Sequence, residues 1–222
     1  TYSLRSIADH TCRVMEQSFE GMLLKIDGTE AWSALIGLHN AYNLLAIYTT
    51  AVVLGADPEE VLVAMSTLKP APGRLENIRG PKDIYVIIDY AHTPDALENV
   101  LKTLREIAPD RELICLFGCG GDRDRTKRPE MAAIAQKMAD RIVVTSDNSR
   151  TEKTSDIMAD IKAGMDLAGR SRSLFIEDRE EAIRTAIMIA GQGATILLAG
   201  KGHETYQIIG TEKRHFDEKE IV

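Results

Sequence analysis

From residue 84 onward, short apolar runs at 84–88, 113–117, 142–145, 174–176 and 195–199 alternate with segments whose apolar residues recur at helical spacing. This alternation is the strongest constraint on the fold, because a strand, a covering helix and a second strand close most readily as a parallel crossover unit. Strands buried on both faces read as unbroken apolar runs, as these do. Leu97, Val100, Leu101, Leu104 and Ile107 share one helical face behind a Thr93-Pro94 start. Ile183, Ala186, Ile187 and Ala190 form a similar stripe behind the capping pair Asp178 and Glu181. The expected fold class is therefore α/β, with a Rossmann-like, mostly parallel sheet. The segments 206–209 and 214–216, separated by Gly210-Thr211, read as a hairpin and as a candidate antiparallel edge.

The first 80 residues differ in style. Short strand-like segments dominate as far as Trp32, among them Met22-Leu23-Leu24-Lys25-Ile26 before an Asp27-Gly28 turn. Two helices are then predicted, one from His39 to Leu54 and one opening with the cap Asp57-Pro58-Glu59-Glu60. Pro70, Pro72, Gly73, Gly80 and Pro81 mark a linker, so two domains are expected, at residues 1–80 and 81–222.

Composition excludes several function classes. The formal charge of -7 argues against nucleic acid, whose phosphates require clustered Lys and Arg. Arg123, Arg125, Lys127 and Arg128 do cluster, but four charges in a Gly-rich loop suit a small anion better than a duplex. No apolar span is long enough for membrane insertion, and Cys12, Cys115 and Cys119 show no metal-ligand spacing. A reducing, cytoplasmic setting is expected.

The chemistry is expected at the carboxyl ends of the strands, where open α/β sheets bind ligands. Asp89 to Asp95 follow the first run, and Gly118-Cys119-Gly120-Gly121-Asp122-Arg123 follow the second. Asp147-Asn148-Ser149-Arg150 follow the third, and Gly200-Lys201-Gly202-His203-Glu204 follow the last. An arginine fork grips a carboxylate, asparagine offers both a donor and an acceptor, and Glu204 can meet an ammonium. Gly118-x-Gly120 imitates a dinucleotide fingerprint, yet Asp122 and Arg123 stand where close helix packing needs small residues. Gly200-Lys201 imitates the tail of a phosphate loop, but no G-x-x-x-x-G-K-[ST] occurs in the sequence.

Several motifs in this order resemble the Mur ligase family over essentially the whole chain. They are Gly37-Leu38-His39-Asn40-Ala41-Tyr42-Asn43, Gly73-Arg74-Leu75-Glu76, Asp89-Tyr90-Ala91-His92-Thr93-Pro94, and residues 118–129, 145–152 and 199–204. Within the family the likeness is to members that add meso-diaminopimelate to a UDP-linked muramoyl dipeptide in peptidoglycan precursor synthesis. The resemblance implies an ATP-dependent ligase working with Mg2+: ATP phosphorylates a carboxylate, and the amine of the incoming amino acid attacks the acyl phosphate. It implies nucleotide contacts from Asn43, Arg74 and Asp89. It implies amino-acid contacts from Arg123, Asp147, Asn148, Ser149, Arg150, Gly200 and Glu204, and a monomer. Residues 1–80 then correspond to the end of a central ATP-binding domain, and residues 81–222 to an amino-acid-binding domain.

Two departures stand out. The family motif reads D-N-P-R, and Ser149 replaces its proline, which frees a backbone angle and a donor. The family's phosphate loop and metal-bridging lysine have no counterpart in these residues, so the chain is expected to be part of a longer ligase and inactive alone, with metal ligands elsewhere. The alternatives are a ligase for L-lysine or another superfamily substrate, and a non-catalytic module that captures a dicarboxylic amino acid.

Overall fold

The computed structural model describes residues 1–222, which form two compact units, Thr1–Pro70 and Ala71–Val222. In the first unit β1 (Tyr2–Ser3), β2 (His10–Ser18), β3 (Gly21–Ile26) and β4 (Thr29–Ser33) form one sheet in chain order. The β3–β4 hairpin turns at Asp27 and Gly28, both with positive φ, as a tight two-residue connection requires. Helices α1 (Leu38–Val53) and α2 (Pro58–Ser66) cover this sheet, and the Asp57 side chain caps α2 by accepting the Glu59 and Glu60 N–H groups. Cys12, Met22, Leu24 and Ile26 are buried against Leu44, Leu45, Tyr48 and Leu62.

The second unit runs β5 (Glu76–Arg79), β6 (Tyr85–Asp89), α3 (Pro94–Ile107), β7 (Leu113–Phe117), α4 (Lys127–Met138), β8 (Arg141–Val144), α5 (Thr154–Ala163), α6 (Leu167–Ser171) and β9 (Ser173–Phe175). It continues with α7 (Arg179–Ile189), β10 (Thr195–Ala199), β11 (Tyr206–Ile209), β12 (Glu212–His215) and α8 (Glu218–Ile221). The main sheet has the order β5-β6-β10-β7-β8-β9 and is parallel except at β5. Val86, Ile88, Ile114, Leu116, Val143, Ile196 and Leu198 face Ala182, Ile183 and Ala186 of α7. Residues of the other parity, among them Ile87, Cys115, Phe117 and Leu197, are equally buried, so both faces of the sheet are covered. Thr93 and Asp178 accept the N–H groups of Ala96 and Glu181, as the capping patterns require.

Two expectations are corrected. The hairpin forms, as β11 and β12, but it is a separate two-stranded sheet; the antiparallel edge of the main sheet is β5. For the same reason the compact units divide after Pro70, earlier than the expected boundary after residue 80: Glu76 to Arg79 pair with Ile88 to Tyr85 and so belong to the second sheet.

Candidate functional site

In the order β6-β10-β7-β8 the strand inserted last in the chain lies between the first two, so loops from distant parts of the sequence leave the same sheet edge side by side. These loops enclose a cleft of about 410 Å³. Arg123, Asp147, Asn148, Arg150, Gly200 and Glu204 line it, so six of the seven residues expected in an amino-acid pocket are brought together. Tyr90, His92 and Lys127 line it as well. Tyr90 and His92 lie in the loop after β6, where the strand-end rule could have found them, and Lys127 opens α4.

The wall is held by hydrogen bonds rather than by apolar packing. Asn148 donates from Nδ2 to Glu204 at 2.9 Å and accepts the Ile208 N–H at 2.8 Å through Oδ1, which orients both its ends. Glu204 also accepts from the fully buried Lys201 ammonium at 3.3 Å. Gln207 of β11 donates to Ser146 Oγ and to the Asp147 carbonyl. The hairpin thus backs the loop after β8. Gly200 has φ +118, and a Cβ there would lie 2.8 Å from an Asp147 carboxylate oxygen, so a side chain at this position would push on the cleft wall.

Arg150 stands at φ +50, a left-handed conformation uncommon for a residue with a Cβ. Its backbone is bound on both sides to the hairpin, donating to the Ile208 carbonyl at 3.2 Å and accepting the Gly210 N–H at 2.8 Å. From Nη1 it donates to the carbonyls of Gly121 at 2.8 Å and Asn148 at 3.3 Å, which leaves Nε and Nη2 without a protein acceptor. Arg123 is exposed and donates only to the Asp122 carbonyl. A Cβ on Gly120 would meet Arg150 Nη1 at 3.0 Å and Arg123 Cγ at 3.7 Å, so the two arginines flank one glycine. Positive groups from two loops therefore share one cleft with the carboxylates of Asp147 and Glu204. The arrangement suits a ligand carrying both carboxylates and ammonium groups.

The remaining predicted residues stand elsewhere. Ser149 is buried and does not line the cleft: its carbonyl accepts the Glu152 N–H, and a Cβ on Gly121 would lie 1.9 Å from that oxygen. Asp89 is buried, and its Oδ2 accepts the Leu75 N–H at 2.8 Å, holding the turn that carries Arg74. Arg74 is exposed, with its guanidinium 5.2 Å from the centre of the Tyr90 ring. Asn43 lies on the exposed side of α1 in the first unit, with its amide 3.4 Å from Asn40 Oδ1.

The Arg123, Arg125, Lys127 and Arg128 cluster is not a free anion site, because three of its charges serve protein partners. Arg125 grips Asp160 with two hydrogen bonds, and Lys127 donates to the His92 carbonyl. Arg128, fully buried, bonds Glu152 at 2.8 and 2.9 Å, Asp160 at 2.8 Å and the Gly120 carbonyl at 3.2 Å. The Arg128 hydrogen bonds, with the Asp122 N–H second, hold the Glu152 carboxyl down at about 2. Cys119 also lines the cleft, but burial pushes its thiol up to about 12. No three His, Cys, Asp or Glu side chains are grouped so as to hold a metal ion, so no metal-dependent step is assigned to these residues.

A second buried arginine, Arg179, ties two strand ends together. It donates to the Ser146 carbonyl beyond β8 and to the Ala199 carbonyl of β10, each at 3.0 Å, and pairs with Glu218 at 2.8 Å. Neither Arg128 nor Arg179 carries a sequence signal of burial, since a charged residue in the first turn of a helix ordinarily reads as solvent-facing.

The chain resembles known proteins in both sequence and fold. The family described as Mur ligase, glutamate ligase domain, matches residues 73–202. The UDP-N-acetylmuramoyl-L-alanyl-D-glutamate--2,6-diaminopimelate ligase of Bacteroides thetaiotaomicron is 50% identical over 223 aligned residues, covering 100% of this chain and 46% of the relative. A solved structure of a ligase of that name is 39% identical, with a TM-score of 0.74 over 99% of this chain and 46% of its own. A UDP-N-acetylmuramate-alanine ligase structure from Thermotoga maritima shares the fold at 23% identity, with a TM-score of 0.68 over 90% of this chain and 44% of its own. The chain therefore spans about half the length of the relatives it matches.

Proposed function

The chain belongs to the Mur ligase family, and from that premise we propose that it is part of an ATP-dependent ligase joining meso-diaminopimelate to UDP-N-acetylmuramoyl-L-alanyl-D-glutamate. The observation that carries the reading is the pairing, in one cleft, of Arg123 and Arg150 with Asp147 and Glu204. Meso-diaminopimelate has two carboxylates and two ammonium groups, so it can satisfy both signs at once. A ligand lacking one carboxylate leaves an arginine fork without its partner, and an unpaired, partly buried charge is what a selective site penalises.

In this reading the cleft selects and orients the nucleophile. Arg150, already aimed by its two backbone carbonyls, takes one carboxylate through the N–H groups that have no protein acceptor. Glu204, held by Asn148 and Lys201, meets an ammonium group together with Asp147. ATP is the co-substrate that activates the dipeptide carboxylate for attack by the amine. Arg74 fits a phosphate or a nucleotide, being an exposed cation with no ion-pair partner, and Asn43 and Asp89 are assigned to the nucleotide by family likeness alone. The first unit then supplies part of an ATP-binding domain and the second the amino-acid-binding domain.

Calorimetric titration of the chain with meso-diaminopimelate, L-lysine and L-ornithine tests the choice of amino acid. Binding of meso-diaminopimelate well ahead of both monocarboxylates is expected. Equal affinity for all three would refute the dicarboxylate reading and leave a lysine-type ligase as the better one.

A further inference from the structure

We propose that Arg128 and Glu152 are positioning residues that set the spacing of the cleft's two arginines, and with it the preference for a ligand with two carboxylates. The inference rests on the amino-acid reading of the cleft. Arg123 follows β7 and Arg150 follows β8, so their separation depends on how the two loops are tied together. Five ties are present, one of them the Thr151 N–H donating to Asp122 Oδ2 at 3.2 Å. Glu152 accepts the Asp122 N–H at 2.6 Å, Asp122 accepts the Thr151 hydroxyl at 2.7 Å, Gly121 donates to the Asn148 carbonyl at 2.9 Å, and Arg150 donates to the Gly121 carbonyl.

Glu152 is the member that joins this set to the interior. Its Oε1 receives both the Asp122 N–H and Arg128 Nη2, while Arg128 also holds the Gly120 carbonyl from beneath. One buried guanidinium thus grips the backbone of the first loop and the carboxylate of the second. There is little slack for another arrangement, because a methyl group on Gly121 would already overlap the Ser149 carbonyl. Asp160 balances the same guanidinium from α5 and pairs with Arg125 further along the first loop, but it bonds neither Gly120 to Arg123 nor Asn148 to Glu152, which makes it an internal control.

The test compares Glu152→Ala with Asp160→Ala, each of which takes one carboxylate from Arg128. Both are expected to lower the melting temperature. Only Glu152→Ala is expected to weaken meso-diaminopimelate binding by at least about tenfold, the size of one lost charge-assisted hydrogen bond, and to do so with little change for L-lysine. Amide exchange at Gly121 reports the loop tie without any ligand, and it is expected to quicken in Glu152→Ala and not in Asp160→Ala. Thr151→Val, an isosteric change at an exposed residue, removes one tie without uncovering a buried charge and is expected to shift binding and exchange in the same direction.

Equal effects of the two alanine variants on affinity and exchange would overturn the positioning role, as would unchanged Gly121 exchange in both Glu152→Ala and Thr151→Val. A wild-type chain that fails to bind meso-diaminopimelate would instead sink the ligand assignment. Gly121 exchange would then decide the positioning role alone.

Discussion

Replacing Arg150 by alanine isolates the contact on which the proposed amino-acid choice depends. The side chain is half-buried and bonded through Nη1 to the carbonyls of Gly121 and Asn148, and removing a side chain that lines the cleft should let water reach both. The fold should therefore lose little, about 1 kcal/mol or less, as for a change that opens no core cavity. Binding should lose far more. A fork on a carboxylate makes two charge-assisted hydrogen bonds, each worth about 1.5–3 kcal/mol, and partial replacement by water leaves a net loss of about 3 kcal/mol. That corresponds to about a hundredfold weaker binding of meso-diaminopimelate. L-Lysine, lacking the second carboxylate, should weaken by less than about threefold on the same grounds. Arg150→Lys keeps the charge without the fork and should fall between wild type and alanine. Titration calorimetry on the three proteins, with melting curves as the check on folding, gives the comparison. Equal losses for the two ligands would refute the assignment of Arg150 to the second carboxylate.

Two further perturbations probe what supports the cleft. Glu218→Ala leaves the buried Arg179 guanidinium without its carboxylate and should cost about 3–5 kcal/mol in urea unfolding, whereas the Arg179→Met/Glu218→Met pair should recover much of that loss. An additive double variant would mean that the two residues do not act as a pair. Glu152 is held at about 2 in the folded chain against an ordinary 4.5, so its contribution to stability is present above about pH 4.5 and drains away as pH falls towards 2. Glu152→Gln should flatten that part of the stability-versus-pH curve, and an unchanged slope would show that the carboxyl is not so perturbed.

The parts of the fold legible in the sequence are those decided by burial. Leu113 to Phe117 and Thr195 to Ala199 read as strands because every residue in them is buried, and Thr93, Asp57 and Asp178 announce helices through side chains that really cap. Pairing order is a different matter. Nothing local in Thr195 to Ala199 says that this run inserts between β6 and β7, since that depends on contacts with residues more than 70 positions away. Strand β5 was hidden because Glu76-Asn77-Ile78-Arg79 is paired on one side only and needs just one apolar residue. In the cleft, side chains that reach outward were readable from the strand-end rule and family likeness. The charges turned inward, Arg128 and Arg179, were not, because burial of a cation is settled by partners on other elements.

The left-handed backbone at Arg150 has an evolutionary consequence. A residue with a Cβ in that conformation costs about 1–2 kcal/mol relative to glycine, so drift at this position would gain stability by discarding the guanidinium. Glycine or asparagine would fit the peptide geometry better and leave the hairpin's two backbone bonds in place. If Arg150 reads a second carboxylate, as proposed, a single substitution there would remove that selectivity and relax the backbone at once. An arginine at this position is therefore held at a cost in backbone energy that glycine would not incur.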